Sequence, residues 1–171
     1  MLFQLFIIQD RNPNFIDYRF VIMTKIRLTK EFSFEMAHAL WNYDGACSNI
    51  HGHSYVLAVT LIGEPIKDKD NPKYGMVVDF GDIKKWVKHR IVDDFDYSLL
   101  ISNEADVSEI VTSRQMFNRL KVVNFQPTCE NLLLYIAEVI KEQLPEHIQL
   151  HSLKLQETAN FLAEWYAEDN P

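Results

Sequence analysis

The stretch Cys47-Ser48-Asn49-Ile50-His51-Gly52-His53-Ser54-Tyr55 is where this chain can do chemistry. His51 and His53 stand two residues apart at the start of an alternating run (Tyr55, Leu57, Val59, Leu61). A strand repeats its side-chain direction every second residue, so both imidazoles point to one face. His38 ends another alternating run, Phe34-Glu35-Met36-Ala37-His38. If those two strands pair, three imidazoles converge. Three neutral nitrogens with a fourth position open is the donor set of a catalytic zinc site. Unrelated surface or core histidines are the plainer alternative.

Cys47 precedes His51 by four residues. A thiol near a cation loses its proton more readily and can act as base or nucleophile. It could equally be a fourth ligand of a closed site, or inert. Glu157 follows Leu153 and Leu155 on one strand face. A carboxylate on a leucine face is costly unless paired. It can accept two parallel N–H bonds, which suits a ring with an amino group beside a ring N–H; a solvated hairpin residue is the alternative. Asp96, after Asp93 and Asp94, reads from composition as a helix-end or loop carboxylate. His89, His147 and His151 read as surface or satisfied histidines, and Cys129 as a packed thiol in a first helical turn.

These groups need strands and helices to hold them. Ile26, Leu28, Phe32 and Phe34 alternate with polar residues, which predicts a half-buried strand. A loop over 39–50 leads to a second strand over about 52–62, ended by Gly63-Glu64-Pro65. Asp79 is an N-cap for a helix carrying Ile83, Trp86, Val87 and Ile91, which stops near Asp93-Asp94. The region 101–126 predicts a short helix near 106–119 and an extended piece at Val122-Val123. Thr128 caps a second helix with its apolar stripe at Leu133, Ile136, Ile140 and Leu144, and Pro145 ends it. Two final strands carry Leu153 and Leu155, then Phe161, Ala163, Trp165 and Ala167, joined by a tight turn at Glu157-Thr158-Ala159-Asn160. The layout is α+β, an antiparallel sheet with helices on one face.

Length and composition set outer bounds. A chain of 171 residues reads as one domain with a substantial core. Residues 1–22 differ from the rest and read as an N-terminal extension, with Met23 opening the strand pattern of a domain over 23–171. The alternative for 1–22 is an extra strand, since Phe15, Tyr18, Phe20 and Ile22 partly alternate. Net charge is −7, which gives no basic footprint for nucleic acid. Two cysteines make no disulfide framework and fit a cytoplasmic protein. No apolar run reaches membrane-spanning length, and the apolar start lacks the basic region and cleavage site of a signal peptide. Five glycines, none in a phosphate-cradling motif, give neither a P-loop nor a dinucleotide fingerprint.

Taken in order, five motifs resemble the 6-pyruvoyl-tetrahydropterin synthase / 6-carboxytetrahydropterin synthase family. They are Phe34-x-x-Ala37-His38; Cys47-x-x-x-His51-Gly52-His53; Gly75-Met76-Val77-Val78-Asp79-Phe80 with Ile83-Lys84; Pro127-Thr128-x-Glu130-Asn131; and Glu157-Thr158. Together they span about 24–168. The resemblance implies a T-fold: a four-stranded antiparallel sheet backed by two helices, closing as trimers into a barrel and stacking into a homohexamer with sites between subunits. It implies Zn2+ on His38, His51 and His53, and Cys47 as the proton-abstracting thiol. It gives Glu157 both the anchoring of the pterin ring and a part in the relay, and has Thr128 help hold the pterin. The implied substrate is 7,8-dihydroneopterin triphosphate, and the bacterial-type product is 6-carboxytetrahydropterin, a queuosine precursor. The family usually reads Leu-Asp-His where this chain reads Phe95-Asp96-Tyr97, so a tyrosine replaces the histidine that relays protons beside the cysteine. With a pKa near ~10, tyrosine is a poor shuttle at neutral pH. Two further expectations follow: a pterin-binding homologue with weakened or retro-aldol chemistry, or a zinc protein whose metal only ties strands together.

Overall fold

A computed structural model describes residues 24–108 and 115–171 of the chain. Two long strands, β1 (Ile26–Ala39) and β2 (His51–Gly63), form an antiparallel hairpin that is the spine of the sheet. Helix α1 (Phe80–Val87) follows, runs through a π-helical turn (Lys88–Val92) and ends in one further turn, α2 (Asp93–Phe95). Then come β3 (Ser98–Ser102), β4 (Leu120–Val123), α3 (Cys129–Lys141), β5 (Ile148–Gln156) and β6 (Leu162–Tyr166).

The strand order is β4-β3-β1-β2-β5-β6. Its half β1-β2-β5-β6 is the expected four-stranded antiparallel sheet. The sheet as a whole has six strands and is mixed, because β3 pairs parallel to β1 and β4 parallel to β3. Of these two additions, β3 escaped the period-two reading for a physical reason. Ser98, Leu100, Ile101 and Ser102 are all buried, and a strand covered on both faces carries no alternation. The extended piece expected at Val122-Val123 is the end of β4. The helix expected near 106–119 does not occur at 106–108 or 115–119; residues 109–114 lie outside the described residues. Residues 1–22, with both readings given for them, also lie outside.

Both long helices begin where the sequence places them. The Asp79 carboxylate accepts from Gly81 N–H at 2.6 Å, and the Thr128 hydroxyl accepts from Asn131 N–H at 3.3 Å. Such caps contribute about 1 kcal/mol each. The helices cover one sheet face. Phe34 and Met36 of β1, Tyr55 to Leu61 at alternate positions of β2, and Leu153 and Leu155 of β5 pack there on Ile83, Ile91, Ile136 and Ile140. Alternation carries that apolar row straight into the histidines at the hairpin's end. Among the described residues, no helix is long and apolar enough to cross a membrane.

Candidate active site

Strand register brings the three histidines together. His38 lies directly across from His51, and Met36 across from His53. Gly52, between the two histidines of β2, faces Ala37; a Cβ there would meet the Met36 carbonyl at 3.3 Å, so glycine lets the strands close tightly. One nitrogen from each ring falls within 4.8 Å of the others.

The outer nitrogens are already committed. His38 Nδ1 donates to the Pro127 carbonyl at 2.6 Å, and His51 Nδ1 donates to the Asn49 carbonyl at 2.8 Å. With Nδ1 protonated, a neutral ring presents its Nε2 lone pair inward. The Nε2 atoms of His38 and His51 are 3.1 Å apart. Two lone pairs at that separation repel, and a shared cation removes the repulsion. His38 is buried, and burial is the main cause that pulls its pKa below the ordinary imidazole value; His51 and His53 push the same way. Burial therefore favours the neutral form of His38, the form that metal ligation requires. These residues fit a zinc ion with three protein nitrogens and an open position.

Glu157 stands one residue beyond β5, next to this cluster. Its Oε1 is 3.6 Å from His38 Nε2 and 3.7 Å from His53 Nε2, and it accepts the Tyr55 hydroxyl at 2.8 Å. Burial first, and then the Glu157 charge, raise the Tyr55 pKa far above the phenol range, so Tyr55 keeps its proton and donates. Glu157 is thus a paired carboxylate and not a solvated hairpin residue. Cys47 lies in a short 3₁₀ turn, Ala46–Ser48, and its carbonyl accepts from Leu40 N–H at 2.9 Å, which ties the loop back to the end of β1. Cys47 is half-buried and free of any disulfide. Thr128 is half-buried, and its neighbour Pro127 carries the carbonyl that orients His38.

Asp96 and Tyr97 are not brought to the histidine face. Asp96 Oδ1 accepts from Glu35 N–H at 2.9 Å, and Tyr97 N–H donates to the Glu35 carbonyl at 2.6 Å. The pair clips the start of β3 onto β1. Tyr97 is 77% exposed and borders a cavity of about 360 Å³ whose lining includes Met36, His53 and Ser98 as well as Glu35, Ala37, Gly52 and Ser54. On each strand the last four alternate with the buried residues, so they lie on the sheet face away from the helices. Tyr97 also has φ of +56°, a left-handed conformation that a bulky side chain seldom adopts.

Three contributors went unread in the sequence. Tyr55 was legible, since it follows His53 by two on the same face. The Pro127 carbonyl was not, because no side-chain pattern reports a backbone acceptor. Gln126, whose side chain both accepts from Trp41 N–H (3.0 Å) and donates to its carbonyl (2.8 Å), binds the loop after β1 to the segment before α3.

Comparison with known proteins bears on the same residues. The chain is similar to a 6-carboxy-5,6,7,8-tetrahydropterin synthase of Haemophilus influenzae, 37% identical over 142 residues, covering 81% of this chain and 97% of that protein. It is similar to the human 6-pyruvoyl tetrahydrobiopterin synthase at 25% identity, covering 83% and 92%. Among solved structures, a 6-pyruvoyl tetrahydropterin synthase of Caenorhabditis elegans superimposes with a TM-score of 0.58 at 26% identity, over 84% of this chain and 96% of that one. An uncharacterized protein of Wolinella succinogenes shares the fold, with a TM-score of 0.69 at 20% identity over 84% and 98%. A family model described as 6-pyruvoyl tetrahydropterin synthase matches residues 27–168, the span that holds both strands of the hairpin, all three histidines, Cys47 and Glu157. With its T-fold and its histidine cluster, the chain belongs to the 6-pyruvoyl tetrahydropterin synthase family.

Proposed function

We propose that this protein is a zinc-dependent 6-carboxy-5,6,7,8-tetrahydropterin synthase that acts on 7,8-dihydroneopterin triphosphate and supplies a queuosine precursor. The observation that carries the proposal is the cluster of His38, His51 and His53, with two Nδ1 atoms fixed on carbonyls and the Nε2 atoms turned inward beside Glu157. The similarity to the Haemophilus protein favours the 6-carboxy branch. Localisation in the cytoplasm follows from the sparse cysteines, and a homohexamer from the family resemblance.

Zinc held by the three histidines would polarise the side-chain hydroxyls of the substrate and acidify the neighbouring C–H bonds. The chain's own groups do the rest. Cys47 takes the proton from the substrate side chain. Glu157 holds a proton position beside the histidines; the pyrimidine end of a pterin is the far end from its side-chain hydroxyls, so this location favours the relay over ring anchoring. Thr128, at the positive end of α3, helps hold the pterin. Asp96 and Tyr97 serve as the acid/base pair from the opposite sheet face, which requires them to meet the thiol of another copy.

One observation favours a second reading with weakened or retro-aldol chemistry: Tyr97 stands where the relay histidine is expected. Incubating the zinc-loaded protein with dihydroneopterin triphosphate and identifying products by mass spectrometry separates the two. The expected product is 6-carboxytetrahydropterin. Cleavage without rearrangement, or turnover only in Tyr97→His, would replace the first reading with the second. Zinc bound with no pterin affinity at all would leave a metal that merely ties strands.

A further inference from the structure

Tyr55 forms the floor beneath the histidines. It is completely buried, its ring stacks on Phe34 with centroids 5.3 Å apart, and it meets His53 and His38 edge-on at 5.6 and 6.3 Å. In those surroundings its one polar atom must find a partner. That partner is Glu157 Oε1, the oxygen that also sits 3.6 and 3.7 Å from the inner nitrogens of His38 and His53. The two residues are neighbours across the sheet, because Val56 pairs with Gln156 and the next step outward sets Tyr55 beside Glu157.

Glu157 by itself is poorly constrained. It lies past the last residue of β5, its side chain is 21% exposed, and its backbone N–H goes to the Phe161 carbonyl at the turn. A glutamate has several freely rotating side-chain bonds, and fixing them carries an entropic cost. A rigid donor beneath it removes that freedom.

We propose that Tyr55 is a positioning residue. Its hydroxyl pins one oxygen of Glu157 beside the histidine cluster, so that the second oxygen is presented to the substrate. The inference rests on the reading of Glu157 as a substrate-facing group.

Tyr55→Phe keeps the ring and its stacking and removes one oxygen. Zinc content is expected to stay at the wild-type level. The expected kcat/KM for dihydroneopterin triphosphate falls about 10- to 100-fold, the size seen for groups that orient a metal site from behind. Because Tyr55 acts through the carboxylate, Tyr55→Phe adds little to Glu157→Gln in a double-mutant cycle. A readout independent of turnover is infrared spectroscopy. The carboxylate band that vanishes in Glu157→Gln is expected to shift in Tyr55→Phe. Placing 4-fluorophenylalanine at position 55 fills the hydroxyl's volume without donating, and carries the same test should the phenylalanine variant not fold. Additive losses, an unmoved carboxylate band, loss of zinc, or wild-type turnover in Tyr55→Phe beside an impaired Glu157→Gln each overturn the inference. Full turnover in Glu157→Gln overturns instead the reading of Glu157 beneath it.

Discussion

His38 and Glu35 are three residues apart on one strand, yet they belong to different surfaces. Around His38 the chain is buried, polar groups are paired, and three rings converge from a single hairpin. Around Glu35 the strand is open, and Asp96 and Tyr97 clip it from β3 with the Tyr97 ring turned outward. The period of two that gathers the histidines is the same period that sends this corner to the other face. One copy therefore gathers a histidine cluster that could hold a metal ion, and leaves Asp96 and Tyr97 facing away from it. The histidine face and the Asp96–Tyr97 corner are therefore held by separate contacts, and a substitution can alter one without the other.

The sharpest way to break that separation is at the ligands. His51→Ala is expected to reduce bound zinc to a trace by elemental analysis. Turnover should fall by more than ~100-fold, beyond the usual effect of a group behind the ligands. Persistence of both zinc and turnover would remove the metal half from the comparison. Next in size is Tyr97. A well-placed general acid or base is worth roughly 10²–10⁴ in rate, so Tyr97→Phe is expected to lower kcat by a factor within that range while leaving zinc content alone. An unchanged rate in both Tyr97→His and Tyr97→Phe would strip the corner of any relay duty.

The structural share of the corner is smaller. Asp96→Ala removes the acceptor for Glu35 N–H, which costs about 1 kcal/mol and lowers the thermal midpoint by about 2–4 °C. A wild-type melting curve would show that the clip contributes nothing to stability. The smallest effect concerns the two thiols. Burial pushes Cys129 up to about 12, with Glu157 and Glu130 adding to it. At pH 8, iodoacetamide is expected to label Cys47 in the native protein and Cys129 only after unfolding, as peptide mapping can show. The sign also fixes an alkaline trend. Below about 9 the thiol is protonated in both states and costs nothing; between about 9 and 12 only the unfolded chain releases the proton, so stability falls as pH rises. Equal labelling of both cysteines in the native protein would refute the shielding of Cys129.

Legibility divided along the same line. The histidine face was readable because alternation, a two-residue spacing and a lone upstream histidine are all local patterns. The helix starts were readable because a capping side chain is written in the sequence. What failed was non-local. β3 is a short run buried on both faces, so it shows no period, and β4 gains its place only by pairing beside it. Tyr97 could be named as a departure from the family's residue, but not as a residue in a left-handed conformation on the far face, since tyrosine gives no hint of positive φ. The pairing of Tyr55 with Glu157 was hidden because the partners lie 102 positions apart.

That last separation bears on how the site is assembled in time. The histidines belong to one hairpin, and their contact between His38 and His51 spans 13 positions. Closing so short a segment costs little chain entropy. Glu157 reaches the cluster only after the chain has passed through both helices and returned as β5. The three histidines therefore form the low-contact-order part of the cluster, and the carboxylate joins them across the longest sequence separation in it. Hairpin register thus sets the three histidines against one another, whereas the carboxylate is set by the return of the chain alongside β2.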